Sequence, residues 1–561
     1  MNSVHNVALS LRSQPSVWSS ASLHATLPLF TTMSFPIDIS ASPFYGVAET
    51  AFKWLCYGFL AYCITDALST WQLVHKQAEH PLVGSPLALV PRFLLNLLYS
   101  WKSTALAKTG YDKYPSSPFQ LIRSDGRVVV LPITLLDEVS RIPSHIAEST
   151  AALERDLLGS FTGVGLILES RLHHSIVQRK LTPRLGLLLP RMEAAVTSAF
   201  DKNFPQSEEW TEIQPYKVLS SVSSRLSAEV IVGPSFCENP EWLHIAVEYT
   251  ESLFRTVVAL RCLPAWTHPL ISRLLPSYWT GQRLLRRAQH LLGPKVLDLL
   301  TKNNSGTWQP QDDNPEDLNV LAWLAALAKG PERSADTLSH VLVLVALAMV
   351  HTTLLRMVNV IYDVTAAGPE LRDQLLDEIA GVAKRGWRDN GDPYEVLDKL
   401  DSVLRESQRM SPPTTMGMKR WFKEAYTFQD GTHVQAGTYA CMPVFAIEND
   451  PGKVVEPERF DGLRAYRAAR ETSDPEKAKL LRFASPAPDF LNFGYGKTAC
   501  PGRFVAGVVV KTVIVKALTD YEFKFLPGTE RPGNLIAHEF LFTWPWTKML
   551  VRKKQKPTCP F

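Results

Sequence analysis

The chain of 561 residues contains no C-x-x-C pair, and its seven cysteines (Cys56, Cys63, Cys237, Cys262, Cys441, Cys500 and Cys559) are odd in number and too scattered for a zinc site. That pattern fits a reducing compartment. A net charge of +4 over this length makes no general electrostatic case for nucleic-acid binding, so no nucleic-acid partner is expected. No fixed period repeats, no Gly/Ser-rich linker or long charge run divides the chain, and no G-x-G-x-x-G fingerprint of a flavin or nicotinamide site occurs. Cations are scarce at the start: Arg12 is the only Lys or Arg before residue 41. Residues 1–42, rich in Ser, Thr and Pro and without helix or strand period, are expected to form a disordered extension that lacks the layout of a signal peptide. Met33, just before the first apolar segment, marks an alternative start.

Hydrophobic residues make up 45% and charged residues 20%, the balance of a globular protein. From Trp54 to Thr65 the chain is apolar and uncharged, bounded by Lys53 and Asp66, and flanked by Tyr57, Phe59, Tyr62 and Trp71 in an interfacial pattern. A spanning helix needs roughly 20 residues, so residues 43–72 are expected to anchor in a membrane only if the helix extends toward Tyr45 and Lys53 snorkels. Otherwise the segment is a buried or interfacial helix. If the segment spans, Lys76, Arg92, Lys102 and Lys108 place the rest of the chain on the cytosolic side. Residues 73–110, punctuated by Pro81, Pro86 and Pro91, read as a stiff connector.

Residues 111–552 read as one large body, with 553–561 as a tail. Gly126–Pro132 reads as a hairpin strand, with Asp125-Gly126 supplying the turn. Helical patterns dominate thereafter, so the fold class is mainly α with small β-sheets. Leu338–Val350 is apolar on every side. From Ser334 to about Thr365 neither Pro nor Gly interrupts, which is far too long for a strand and suits a central buried helix capped by Ser334. Set into it are His351, Thr352 and Thr353. Helical threonines usually satisfy themselves on the preceding turn, yet polar groups inside an apolar helix need a reason.

The most informative segment is Phe493-Gly494-Tyr495-Gly496-Lys497-Thr498-Ala499-Cys500-Pro501-Gly502-Arg503, followed by an apolar helix to Leu518. Gly494 and Gly496 permit positive-φ turns that bring backbone close to a flat cofactor, and Pro501 suits the first turn of the helix. Cys500 is thereby set at a helix N-terminus, where dipole and free N–H groups favour the anionic sulfur. The alternative is a small buried hydrophobe in a glycine-rich loop.

This loop resembles the cysteine-ligand motif of the cytochrome P-450 family, whose haem iron is held by a thiolate. Three further segments resemble the family in order: Glu406-Ser407-Gln408-Arg409, Pro457-Glu458-Arg459-Phe460, and the helix Ala348-Met349-Val350-His351-Thr352-Thr353. The resemblance covers roughly residues 80 to 552. It implies haem b between the Cys500 loop and a long distal helix, with Phe493, Gly494, Gly496 and Gly502 shaping the loop. It also implies a buried Glu406–Arg409–Arg459 network, whose first two members share a helix face. Proton delivery during dioxygen cleavage falls to Thr352, with His351 where many members carry an acid. The propionates are assigned to Arg179 and to Lys497 or Arg503, since Thr498 stands where His or Arg is usual. Lys497 and Arg503 equally suit a face that attracts an acidic reductase. Met349 replaces a small residue and should narrow the space above the iron. Pocket contacts are expected from Ser411–Met416 and His538–Phe542.

The resemblance therefore implies a monooxygenase of the endoplasmic reticulum membrane with its catalytic body in the cytosol. It would insert one atom of O2 into a lipophilic terpenoid, alkaloid or polyketide intermediate of fungal secondary metabolism. Electrons would come from NADPH through a separate NADPH-cytochrome P-450 reductase. Two alternatives stand beside it: a haem-thiolate isomerase or dehydratase without net oxygenation, and an inactive haem-binding membrane protein.

Overall fold

The computed structural model describes residues 45–76, 80–84, 90–123, 125–389 and 391–561. The expected extension 1–42 lies outside them. The chain divides into two units, Met1–Tyr62 and Cys63–Phe561. Helix α1 (Tyr45–Lys76) begins in the first unit, where it exposes Phe52, Trp54, Tyr57, Phe59 and Leu60.

In the second unit, residues expected to be connector form α2 (Arg92–Lys113) instead. Pro91 precedes its first turn, and Leu95, Tyr99, Ser103 and Ala107 repeat every fourth residue to give it a buried face. Gly110 lets it close on the neighbouring sheet, because a Cβ there would stand 2.2 Å from the ring of Phe119. Strands β1 (Phe119–Arg123) and β2 (Gly126–Val130) form the expected hairpin, with Gly126 at φ 138°. They continue a five-stranded sheet with β3 (Ala147–Glu148), β4 (Gly417–Phe422) and β5 (Thr438–Met442), in the order β1-β2-β5-β4-β3. The β2–β5 pair is parallel and aligns Val129 with Ala440.

The remainder is mostly helical. After α3 (Leu172–Ile176) and α4 (Pro240–Arg261) comes α5 (Ala335–Ala367), capped by the Ser334 hydroxyl, which accepts from Thr337 N at 3.1 Å. Gly368 at φ 89° ends it. Among the described residues α5 is the single helix long and apolar enough to cross a membrane, and 72% of that apolar window is buried inside the protein. It is the core helix, packed against the helix Pro215–Ile231, α4, α6 (Asp398–Met410) and α7 (Arg503–Asp520). A two-stranded hairpin of β6 (Asn534–Ala537) and β7 (Phe540–Thr543) closes one side. Residues 553–561 are no loose tail: Cys559 N donates to Asp520 Oδ1 at 3.1 Å, and the Phe561 ring lies 6.0 Å from that of Trp387.

Candidate active site

The Cys500 loop is folded by its own backbone. Gly494 and Gly496 sit at φ 74° and 61°, and Cys500 N donates to Phe493 O at 2.7 Å. The Phe493 ring packs edge-on against Phe483 at 5.1 Å. Burial pushes the Cys500 thiol up, while the Gly502 and Arg503 amides and the Arg503 charge pull it down. Desolvation wins, contrary to the expectation that the helix end alone would give an anion. Coordination to a metal ion would supply the missing drive, because a coordinated thiol is deprotonated.

Cys500 is exposed toward a cavity of about 450 Å³. Pro501, Gly502 and Val505 line it together with Ala348, Met349 and Thr352 of α5. Thr352 is exposed there, its hydroxyl donating to Ala348 O at 2.7 Å. Thr353, one step round the helix, is buried and donates to Met349 O. Ser411, Pro413 and Leu541 also line the cavity, from the two segments expected to contact substrate. Phe540 and Phe542 pack instead on Phe254, and His538 is buried beside Cys262.

Three expected roles do not match their positions. His351 is absent from the cavity wall; it is buried with its Nε2 4.0 Å from Glu251 Oε1, too long for a hydrogen bond. One residue turns an α-helix by about 100°, enough to carry His351 off the face that Thr352 occupies. Arg179 is exposed and outside the wall, while Val177 and Leu181, two residues to either side, line it: the helical period aims the arginine away. Lys497 lies in a separate groove on the outer side of the loop, with His174, Gln178, Thr182, Arg503 and Phe504.

The network behind the loop is also rearranged. Arg409 grips Glu406 with Nε at 2.9 Å and Nη2 at 2.7 Å, and reaches Pro457 O at 2.7 Å. Arg459 contributes only its carbonyl; its side chain is 74% exposed and pairs with Glu456. The third charged partner is Arg464, whose Nε donates to Glu406 Oε1 at 3.2 Å. Gly462, two residues before Arg464, is closely packed: a Cβ there would meet Leu371 at 2.9 Å.

The sequence pattern alone did not single out Arg420. It is 3% exposed, has no ion-pair partner among the described residues, and donates to Thr498 Oγ1 at 2.9 Å. Burial alone draws its guanidinium down to about 10, leaving a charged group in need of an anion. The signal was available in β4, where Met418, Arg420 and Phe422 alternate on the buried face. Haem b fits this set of residues. A sulfur stands on one wall, and a buried arginine lies beside the loop. Gly502 fronts the cavity at an ordinary φ, and a Cβ added to it would find no protein atom nearer than 3.8 Å, as a flat group pressed on the backbone requires.

Residues 159–551 match the family model described as Cytochrome P450. The chain is 34% identical over 490 residues to cytochrome P450 monooxygenase AN1598 of Emericella nidulans, covering 87% of this chain and 90% of that one. It is 33% identical to an ent-kaurene oxidase of Gibberella intermedia, covering 91% and 94%. It is 31% identical to cytochrome P450 monooxygenase paxP of Penicillium paxilli, covering 83% and 88%. In fold it is similar to a retinoic-acid-bound cyanobacterial CYP120A1, with TM-score 0.59 and 17% identity, over 85% of this chain and 99% of that one. The Cys500 loop, the Thr352 helix and these relatives together place the chain in the cytochrome P450 family, among its fungal monooxygenases.

Proposed function

We propose that this haem monooxygenase inserts one oxygen atom from O2 into a lipophilic secondary-metabolite intermediate, drawing NADPH electrons from a separate reductase. The observation that carries the reading is one cavity lined by both Cys500 and Thr352. Haem b, when bound, supplies the activation of O2. The chain supplies the rest. Cys500 would hold the iron, with Phe493, Gly494, Gly496 and Gly502 shaping its loop, and Arg420, which reaches the loop at Thr498 rather than the cavity wall, would offer a propionate a cation. Thr352 holds a proton on Oγ1, parked on Ala348 O, within reach of the cavity. Leu344, Val345 and Leu541 exclude water. The groove holding Lys497 and Arg503 presents cations to an acidic reductase surface. A terpenoid substrate is supported by the greasy wall and by a relative named for ent-kaurene.

We also assign the protein to the endoplasmic reticulum membrane, with α1 as anchor. Its 32 residues exceed the roughly 20 needed to span, although Glu49, Lys53 and Asp66 keep it less apolar than α5. Membrane contact by the body is supported by exposed Leu94, Leu97 and Trp101 on α2 and by Trp266, Leu270 and Leu274 beyond α4. No Asp or Glu occurs from residue 80 to 111 or from 252 to 297, a charge balance suited to anionic lipid.

The test is turnover with purified reductase under ¹⁸O2. Label is expected in the product, and product free of label would favour an isomerase or dehydratase. Cys500→Ala should abolish the thiolate-haem carbon monoxide spectrum and turnover together. Thr352→Ala should keep that spectrum while product per NADPH falls by about 10²-fold, the lower edge of what a positioned proton donor contributes.

A further inference from the structure

Arg356 takes no part in the roles proposed for the haem site. It lies one turn beyond Thr352 on α5, about 6 Å along the axis, and its side chain belongs to the wall of the same cavity as Cys500. It is 5% exposed. Nη1 donates to Ser407 Oγ at 2.9 Å and Nη2 to Ser411 O at 2.6 Å, both neutral acceptors, and Nε has no partner. No carboxylate pairs with it among the described residues. Asp363, on the same helix, is taken by Arg531 at 2.5 Å. Burial draws the Arg356 guanidinium down to about 9, which leaves it charged at neutral pH.

A positive charge thus stands in the wall of a mostly apolar cavity with no carboxylate in contact; Asp363 and Glu448 act on it only from a distance, and Arg531 opposes them. One-electron reduction of a redox centre in that cavity adds a negative charge, and a cation so placed in low dielectric favours the reduced form. We propose that Arg356 is a positioning residue for electron entry: its charge holds the haem reduction potential more positive than the Cys500 thiolate alone would leave it. The electron comes from the reductase, and Arg356 itself neither gains nor loses a proton. This rests on the haem-thiolate reading of the cavity. It differs from a capping role for the α6 end, which depends on hydrogen bonds to Ser407 and Ser411 rather than on charge.

The experiment is a potentiometric titration of the full, haem-loaded chain. Arg356→Gln keeps a donor for Ser411 O and removes the charge; the equilibrium constant for reduction should fall about tenfold, about 59 mV for one electron. Arg356→Lys keeps the charge and should stay within about threefold of the unsubstituted chain. Ser407→Asp leaves Arg356 in place but sets a carboxylate against it, so it should behave like Arg356→Gln. An unchanged potential in Arg356→Gln overturns the proposal, as does a potential in Arg356→Lys as low as in Arg356→Gln. If Arg356→Gln does not load haem, Ser407→Asp decides alone, an unchanged potential again being fatal. A chain that binds haem without a thiolate carbon monoxide spectrum sinks the underlying reading instead.

Discussion

Glu406 shows how one side chain can hold several segments together. It is 3% exposed and accepts from Arg409, Arg464 and the Asp461 amide, so each donor removed leaves a buried charge less satisfied. Arg464→Ala should therefore lower stability by about 1–3 kcal/mol, whereas Arg459→Ala, which removes an exposed pair with Glu456, should change it by no more than about 0.5 kcal/mol. Thermal melts of the two holoproteins check the contrast, and equal losses would restore Arg459 to the network. The pairing of Glu406 with Arg409 was legible from their spacing, because three residues along a helix is a contact distance. Which later arginine completes it was not. Arg459 and Arg464 lie only five residues apart, the first in a turn and the second at the start of the helix Arg464–Glu471, and no local pattern tells which of them turns inward.

At the scale of elements, the segment Val444–Glu448 is tied to the start of the Cys500 loop. Glu448 accepts from Leu491 N and from Asn492 Nδ2, both at 2.6 Å. Burial outweighs these bonds and pushes its carboxyl up to about 8. The folded chain therefore holds a proton there that the unfolded chain releases at about pH 4.5, the unperturbed value. The sign is opposite to that of a salt-bridged acid: this contribution to stability is whole below the unfolded pKa and is lost as pH rises through about 8. Glu448→Gln should flatten the decline in melting temperature between about pH 5 and 8, and an unchanged slope would remove Glu448 as its source. Elements were legible in proportion to their regularity. α5 declared itself by length, whereas α2 hid behind the prolines that precede it, and the burial of Arg420 had to be read from alternation within one short strand.

At the scale of the whole molecule, a buried cluster of ions joins parts far apart in sequence. Arg123 of β1 pairs with Asp156 at 2.6 Å, Lys419 of β4 reaches the same carboxylate at 2.7 Å, and Arg261 at the end of α4 forks onto Glu539 at 3.1 and 2.8 Å. Although burial works to raise the Glu539 carboxyl, Arg261, Lys419 and Arg123 hold it well below the usual range. Glu539→Gln leaves those cations short of one charge in an unexposed site, and should cost about 3–5 kcal/mol, read from denaturant unfolding of the holoprotein. A loss near zero would mean that water enters the cluster. Nothing in the sequence announces this set, since its members span residues 123 to 539 and no local pattern links them.

The cavity wall also bears on how long each molecule works. Met349 lines the same cavity as Cys500, so under the proposed reaction its thioether would lie in the wall of the chamber where oxygen is activated. Peroxide escaping an unproductive cycle would convert that sulfur to a sulfoxide, a polar group in a greasy wall. Total turnovers before inactivation should therefore rise in Met349→Leu, and mass spectrometry of spent protein should find the added oxygen at Met349 first; oxygen found elsewhere would clear this side chain.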